Sequence, residues 1–326
     1  MSKIPTILTI GKATQDVFLM SSKEFKTYRH KGVVYEQMPL GAKLNLDNVV
    51  FSTGGNATNA AVTFARQGLR SKYIWALGND IASHSVLAAL DEENVNTTNV
   101  VVNEKFRASY STILLAKNGE RTILNFHGTE LPSDGHPLDL SVIEDMDWLY
   151  LSALNNMPLL AKIIDLAVKH DVKVMMNPSG KELAEKQKLK ALLPDIEVLI
   201  MNKEEAAMLV QGHTTLELLH HLSHYCAVNI ISDGPHGVMA TDGEYIVRAG
   251  MYEDVTVVDR TGAGDAFGSG FLSQWSQGKS LQEALIFASA NATSVVTKIG
   301  AKEGILHKNT QLHHMPIDIK KYKDIS

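Results

Sequence analysis

The feature that most constrains the fold is an alternation of short apolar runs with amphipathic segments between residues 147 and 232. The apolar runs, typical of buried strands, are 148–151, 172–176, 198–201 and 228–232. The segments with helical periodicity are approximately 158–170, 182–192, 204–210 and 216–226. Strands that alternate with helices pair in parallel, so the pattern predicts an α/β fold of three layers, a mainly parallel central sheet flanked by helices.

Two stretches depart from this alternation and indicate a small protruding β element. Residues 25–51 contain short β-prone pieces broken by glycines and a proline. Within 110–126, two strand-like runs flank residues 117–120, whose Asn-Gly pair is a hairpin signal. We predict a β lid inserted at about 21–52 and 100–126, which would cover a ligand or pair with another subunit.

The carboxyl ends of the predicted strands are polar, and ligands of parallel sheets bind at those ends. Asn202 follows one strand, with Glu205 one helical turn further on. Another strand ends at Ser232, with Gly234 and Gly237 just beyond it. Ordinary capping is the alternative, because Asn202 and Glu205 have the spacing of a capping box. Several polar ends together favour a ligand site.

A glycine-rich turn with Gly262–Gly264 leads into a predicted helix and would form an anion site. Small residues let a ligand approach the backbone, and the first helical N–H groups carry the positive end of the dipole. Asp265 adds a carboxylate base beside this cradle, which suggests phosphoryl transfer. N-capping by Asp265 is the alternative. Gly268 and Gly270 weigh against it, because each costs about 1 kcal/mol relative to alanine inside a helix, which suggests that something must approach closely.

A second glycine-rich loop contains Gly54 and Gly55 and leads into an alanine-rich segment that closes at Gly68. Asn59 lies one turn into this segment. Small residues and an amide suit a polyhydroxylated ligand, although a tight loop with helix packing is equally consistent with the pattern. Asp16, after the first predicted strand, would accept hydrogen bonds from substrate hydroxyls or serve as a turn residue.

Composition excludes several classes of partner. The net charge of −5 provides no electrostatic basis for binding nucleic acid or an anionic membrane. No apolar run approaches the roughly 20 residues that span a bilayer. Cys226 is the only cysteine, so we expect no intramolecular disulfide and a cytoplasmic location. The length would allow one large α/β domain or two smaller ones, and we predict a single domain over residues 1–326.

Together, the two glycine-rich stretches resemble the two signatures of the ribokinase-like (PfkB) family of sugar and nucleoside kinases. The first signature is met by residues 54–61 and the second by residues 259–272. Arg260 departs from the second, because a small or β-branched residue is usual there. Motif order and spacing extend from Asp16 to Gly300, so the resemblance covers nearly the whole chain.

The resemblance implies a role for each matching residue in phosphoryl transfer. Asp265 would be the general base that takes the proton from the acceptor hydroxyl. The anion hole for the transferred γ-phosphoryl group would be formed by Gly262, Ala263 and Gly264. The positions at which members of the family hold sugar hydroxyls correspond to Asp16, Gly54, Gly55 and Asn59.

The resemblance also implies ATP and Mg²⁺ as cofactors. Asn202 and Glu205 match an Asn-x-x-Glu motif in which the glutamate organises Mg²⁺ through water. Residues expected to border the nucleotide are Ser232, Gly234, Gly237, Ser289 and Asn291. Asp259 and Thr261 match positions that bind a monovalent cation such as K⁺ in some members, an expectation that Arg260 puts in question.

The function implied is an ATP-dependent kinase that phosphorylates a hydroxyl of a small sugar. The alternatives are a nucleoside kinase of the same fold and a catalytically silent sugar-binding regulator, against which the retained Asp265 counts. Candidate side chains for the acceptor pocket are Arg107, Tyr110, Asn125 and His127, and a phosphorylated acceptor would call on Lys43, Arg107 and Arg260. We expect a homodimer formed through the β lid.

Overall fold

The computed structural model describes residues 3–116, 121–250, 252 and 255–324, so the predicted hairpin turn at 117–120 lies outside the described residues. The strands are β1 (Thr6–Ile10), β2 (Thr14–Ser21), β3 (Lys26–His30), β4 (Val33–Gln37), β5 (Asn48–Gly54), β6 (Arg70–Ile74), β7 (Ala76–Leu77), β8 (Val101–Val102), β9 (Ser109–Ala116), β10 (Arg121–Phe126), β11 (Trp148–Ser152), β12 (Lys173–Asn177), β13 (Val198–Asn202), β14 (Val228–Ser232), β15 (Val238–Thr241), β16 (Tyr245–Ala249) and β17 (Ile317–Lys321).

The α-helices are interspersed among these strands along the chain. They are α1 (Asn56–Arg66), α2 (Ile81–Glu92), α3 (Met157–Lys169), α4 (Gly180–Ala184), α5 (Lys186–Leu192), α6 (Lys203–Leu209), α7 (Thr215–Leu222), α8 (Ala263–Trp275) and α9 (Leu281–Val296). The helix predicted at 182–192 is divided, because α4 ends before Glu185 and α5 begins after it. Within the described ranges, none of the helices is long and apolar enough to cross a membrane.

The central sheet has the strand order β17-β16-β15-β14-β13-β12-β11-β1-β6. Strands β6, β1, β11, β12, β13 and β14 run parallel, and β15 to β17 add an antiparallel edge. The mainly parallel α/β sheet predicted from the alternation is therefore confirmed. Its parallel strands all end at one edge, which brings their polar ends together.

Both faces of the central sheet are covered, which accounts for the three layers. Alternate residues of β1 show this, because Ile7 packs into one buried apolar cluster and Leu8 into the other. Phe271 of α8 and Leu285 of α9 belong to the first cluster, whereas Ile163 of α3 belongs to the second. Burial of such side chains contributes about 1.5–3 kcal/mol each, so the two layers of helices are held firmly against the sheet.

A smaller sheet forms the lid. Its strand order is β10-β9-β2-β5, and β3 and β4 form a separate hairpin next to it in the chain. Strand β2 begins at Thr14, so the lid begins earlier in the chain than the predicted insertion at 21. Asp16 is therefore a strand residue rather than a turn residue, and its neighbours across the sheet are Ser52 and Ser111. This register puts the three side chains on one face of the lid.

Candidate active site

The N-terminus of α8 follows a turn that only glycine can make. Gly262 has a φ of +77°, and a Cβ built there would lie 2.4 Å from the Cβ of Ala301. The helix begins at Ala263, and a Cβ on the exposed Gly264 would meet nothing within 4 Å. Since the first N–H groups of a helix lack internal partners, this turn leaves an accessible set of donors for an anion.

The two glycines inside α8 have a different cause from the one their sequence positions suggested. A Cβ at Gly268 would lie 2.8 Å from the hydroxyl of Tyr150, and one at Gly270 would lie 3.1 Å from the Cα of Ala288 in α9. Close packing against β11 and α9 therefore requires these residues to be small. The close approach is made by the protein itself and not by a ligand.

Asp265 lies in the first turn of α8, where its side chain is partly buried. The amide nitrogen Nδ2 of Asn59 donates a hydrogen bond of 2.9 Å to its Oδ2 atom. Burial raises the pKa of Asp265 to about 6, against the opposing effects of the Asn59 hydrogen bond and the positive charge of Lys302. A carboxylate with this pKa is largely ionised at neutral pH and remains basic enough to accept a proton.

The first glycine-rich loop is shaped by Asp16 and by the backbone that precedes it. A Cβ at Gly54 would lie 2.3 Å from Oδ2 of Asp16, and one at Gly55 would lie 2.4 Å from the carbonyl oxygen of Lys12. Gly55 also has a φ of +101°. The loop thus brings its backbone against a carboxylate that is only 6% exposed. Burial raises the pKa of Asp16, whereas a hydrogen bond with Ser111 and the charge of Lys302 lower it.

Lys302 is a functional candidate that the sequence motifs do not contain. Its Nζ atom donates to the carbonyl oxygen of Thr53 at 2.8 Å and to the hydroxyls of Thr53 and Thr58 at 3.0 Å. Burial lowers the pKa of this ammonium to about 7, although the charges of Asp16 and Asp265 favour its protonated form. Lys302 therefore ties the Gly54 loop to the chain beside Gly262 and places a cation near both carboxylates.

A cavity of about 390 Å³ adjoins the start of α8 on its other side. Ala263 and Gly264 belong to its wall. Other predicted nucleotide neighbours in the wall are Asn202, Glu205, Ser232, Gly234, Gly237 and Ser289. Asn291 is fully buried instead, since its amide donates to the carbonyl of Ala266 and accepts from the N–H of Leu306. Asn291 thus joins α9 to its surroundings and does not line the cavity.

Asn202 and Glu205 both cap α6 and face the cavity. The side chain of each accepts a 2.9 Å hydrogen bond from the backbone N–H of the other. Glu205 is partly buried, and this burial raises the pKa of its carboxylate. Mg²⁺ usually binds through one or two carboxylates, several waters and substrate phosphates. A single half-buried carboxylate beside the predicted anion site at the start of α8 fits that donor set.

The lid divides the predicted acceptor residues between its two faces. Asn125 lies opposite Ser111 and so shares a face with Asp16. Tyr110 lies one position earlier on β9 and therefore points to the other face. There it lines a separate cavity of about 1070 Å³ together with Arg107. Asn125 is thus the better-placed candidate for contact with an acceptor.

Asp259 and Thr261 are hydrogen-bonded to each other. They lie immediately before the glycine-rich turn at Gly262–Gly264, which we call the anion turn. Oδ1 of Asp259 accepts hydrogen bonds from the backbone N–H and the hydroxyl of Thr261, at 3.0 and 2.7 Å. A second partner of this carboxylate is the guanidinium of Arg121, which comes from the lid. Arg260, the residue that departs from the family signature, is exposed.

Comparison with protein-family models matches residues 24–308 to the pfkB family carbohydrate kinase. The ribokinase of Haemophilus influenzae is 28% identical over 279 residues, which cover 81% of this chain and 88% of that protein. An ATP-dependent ribose-1-phosphate kinase of Halopiger xanaduensis is also 28% identical, over 77% of this chain and 82% of its own.

Solved structures show the same fold. The ribokinase of Arabidopsis thaliana, solved in complex with ribose and ATP, superposes with a TM-score of 0.76 at 20% sequence identity. The match covers 93% of this chain and 96% of that one. The fold expected from the two glycine-rich signatures is therefore confirmed.

Proposed function

The chain belongs to the pfkB family of carbohydrate kinases, phosphotransferases with an alcohol group as acceptor, and on that premise we propose that it transfers the γ-phosphoryl group of ATP to a hydroxyl of a small sugar. One observation carries the proposal: Asp265 receives a hydrogen bond from Asn59 on one side of the α8 start, while Ala263 and Gly264 line a cavity on the other. A base and an anion cradle thus lie between two binding regions.

Asp265 is the general base of the proposed reaction. Its carboxylate would take the proton of the acceptor hydroxyl as the oxygen attacks the γ-phosphorus, and the bond between that phosphorus and the β–γ bridging oxygen would break to release ADP. The pKa of about 6 keeps Asp265 mainly unprotonated at neutral pH. Asn59 holds one carboxylate oxygen in place, so the other is available to the acceptor.

The anion hole follows from the turn at Gly262. Phosphoryl transfer depends mainly on positioning and on stabilising the charge of the transferred group's oxygens. The backbone N–H groups at Gly262, Ala263 and Gly264 would donate to those oxygens where the helix dipole is positive. This stabilisation needs no rearrangement of side chains during the reaction.

The two binding regions have different chemistry. On the acceptor side, the Asp16 carboxylate and the Asn59 amide would bind sugar hydroxyls, with the Gly54–Gly55 backbone packed below them. On the nucleotide side, Ser232, Gly234 and Gly237 would border ATP. Kinases of this family use ATP and generally require Mg²⁺, which when bound would share the negative charge of the phosphates. Glu205 would hold that ion through water.

The acceptor is tested by measuring ADP release with ATP and Mg²⁺ across free sugars, sugar phosphates and nucleosides. We expect turnover with one or more free sugars. Turnover with nucleosides alone would support a nucleoside kinase instead, and turnover with sugar phosphates alone would point to an activity like that named for the Halopiger relative. No turnover with any acceptor would favour a sugar-binding regulator.

We include a homodimer formed through the lid and a cytoplasmic location in this proposal. The lid carries exposed apolar side chains, among them Phe51, Leu124 and Phe126, which are 72%, 57% and 51% exposed. Exposed apolar residues on the edge strands of a sheet favour pairing with another subunit. Sedimentation equilibrium of the purified chain tests the dimer, and a mass equal to one chain at all concentrations would refute it. The lone Cys226 supports a reducing location, which fractionation of the producing cells tests.

A further inference from the structure

Asp259 is a buried carboxylate at the junction between the lid, the anion turn and the chain after α9. Its side chain is 2% exposed. Oδ1 accepts from the backbone N–H and the hydroxyl of Thr261, and Oδ2 accepts from the backbone N–H of Gly300 at 3.1 Å. Nη1 of Arg121 also donates to Oδ1. The charge of this buried group is therefore matched by a cation of the protein itself.

These contacts disagree with a monovalent cation held by Asp259 and Thr261. An ionised carboxylate has about four lone-pair sites, and Asp259 accepts from four donors, three at Oδ1 and one at Oδ2. The Thr261 hydroxyl is also committed, because it donates its proton to the carboxylate. A K⁺ ion would have to displace these donors and approach a guanidinium of like charge. The side chains present therefore do not fit a K⁺ ion.

The cation at Asp259 comes from a distant part of the chain. Arg121 is the first residue of β10 in the lid and lies 138 positions before Asp259. The adjacent Arg260 is exposed. Lys302 is engaged by Thr53 and Thr58 instead. Among the described residues, Arg121 is the cationic side chain with a hydrogen bond to this carboxylate.

We propose that Arg121 is a positioning residue that acts as a built-in cation at Asp259, so that the anion turn is ordered by the lid and not by a monovalent ion. The contact reaches the active site in two steps. Arg121 donates to Asp259, and Asp259 accepts from the backbone N–H of Thr261, one residue before Gly262, the N-cap of α8. The position of the lid and the order of the anion hole are thereby coupled.

This inference rests on the proposed function for its kinetic part, and a second readout is independent of catalysis. The variants are Arg121→Gln, Arg121→Lys and, as a control that removes an exposed positive charge elsewhere, Arg248→Gln on β16. Each protein is compared in KCl and in tetramethylammonium chloride at equal ionic strength. The two measurements are kcat for phosphoryl transfer and the midpoint of thermal unfolding, Tm.

For the wild type, we expect the same kcat and the same Tm in both salts. Arg121→Gln should lower kcat in tetramethylammonium by roughly tenfold or more, because a misplaced anion turn loses alignment. It should also lower Tm more than Arg248→Gln does, because it leaves a buried carboxylate without its cation. Arg121→Lys should recover part of both losses, since it keeps the charge without the guanidinium geometry.

Several results would overturn the inference. A wild-type enzyme that K⁺ activates or stabilises would show that an ion, and not Arg121, serves Asp259. Equal values of kcat and Tm for Arg121→Gln and Arg248→Gln would show that the contact between Arg121 and Asp259 has no role. A fall in Tm with an unchanged kcat would reduce Arg121 to a structural residue. If no acceptor is phosphorylated, the proposed function fails, and the effect of K⁺ on the wild-type Tm still decides whether the ion binds.

Discussion

The two sides of the α8 N-terminus are built in different ways. On the proposed nucleotide side, the cavity is lined by residues at the ends of neighbouring strands, such as Asn202 at the end of β13 and Ser232 at the end of β14. On the proposed acceptor side, the groups that meet are far apart in the sequence. Asn59 and Asp265 are separated by 206 positions, and Lys302 and Thr53 by 249.

This difference shows which part of the proposed site follows from the sheet alone and which part depends on contacts between distant elements. Strand ends of a parallel sheet meet wherever the sheet forms, so the nucleotide side follows from the fold. The acceptor side also requires the lid, α1 and the chain after α9 to converge, and it holds the buried charges. Asp16, Asp265 and Lys302 all have pKa values moved by burial. Buried titratable groups with shifted pKa values are typical of catalytic sites.

The largest expected effect is that of Asp265→Asn. The substitution preserves the size of the side chain and its contact with Asn59 but removes the base, so kcat should fall by roughly 10²–10⁴-fold. The dissociation constant of ATP, measured by calorimetry, should stay near the wild-type value. Asp318→Asn, at an exposed position on β17, is the matched control. Near-normal turnover would remove Asp265 from the mechanism.

A smaller effect is expected on the acceptor side from Asp16→Asn. Hydrogen bonds to a charged group contribute about 1.5–3 kcal/mol, so loss of the charge should raise KM for the sugar roughly 10- to 100-fold. ATP affinity should be unaffected, because Asp16 lies away from the nucleotide cavity. An unchanged sugar KM would show that Asp16 does not bind the acceptor. A change in ATP affinity would show that the acceptor side and the nucleotide side do not act independently.

The smallest effect is expected on the nucleotide side from Glu205→Gln. Glutamine retains the capping box of α6 while removing the negative charge. The Mg²⁺ concentration that gives half-maximal activity should rise roughly tenfold, the lower range for loss of a group that orients a metal through another ligand. Sugar KM should not change. Glu204→Gln, at the exposed neighbouring position, is the control. An equal response of both variants would show that Glu205 has no specific role in binding Mg²⁺.

Much of the fold was predictable because its signals are local. Hydrophobic periodicity identified β11 to β14 and their helices. The glycine-rich sequence predicted a turn before α8, and Gly262 has the left-handed conformation of such a turn. Contacts between distant residues left no such pattern. Lys302 lies outside both glycine-rich signatures, and Arg121 begins a lid strand whose partner in the active site is far along the chain.

Some residues fitted a local pattern for another physical reason. Gly268 and Gly270 indicated a close approach and were counted in favour of a ligand site, whereas the approaching groups are Tyr150 and α9. Asn291 was expected beside the nucleotide, but its buried amide satisfies backbone groups. A small or polar residue in a helix gives the same sequence pattern whether it contacts a ligand or packs against another part of the protein. Only the tertiary neighbours distinguish a ligand contact from a packing contact.

The pH dependence of the single-turnover rate tests most directly whether Asp265 acts as the base. A base is active when unprotonated, so the wild-type rate should fall as the pH decreases through about 6. The charge of Lys302 lowers the pKa of Asp265, and Lys302 is itself faced by Asp16, Glu93 and Arg66. Lys302→Met should therefore move the acid limb to higher pH. A wild-type rate that stays constant through pH 6, or a limb that Asp265→Asn leaves in place, would contradict the account.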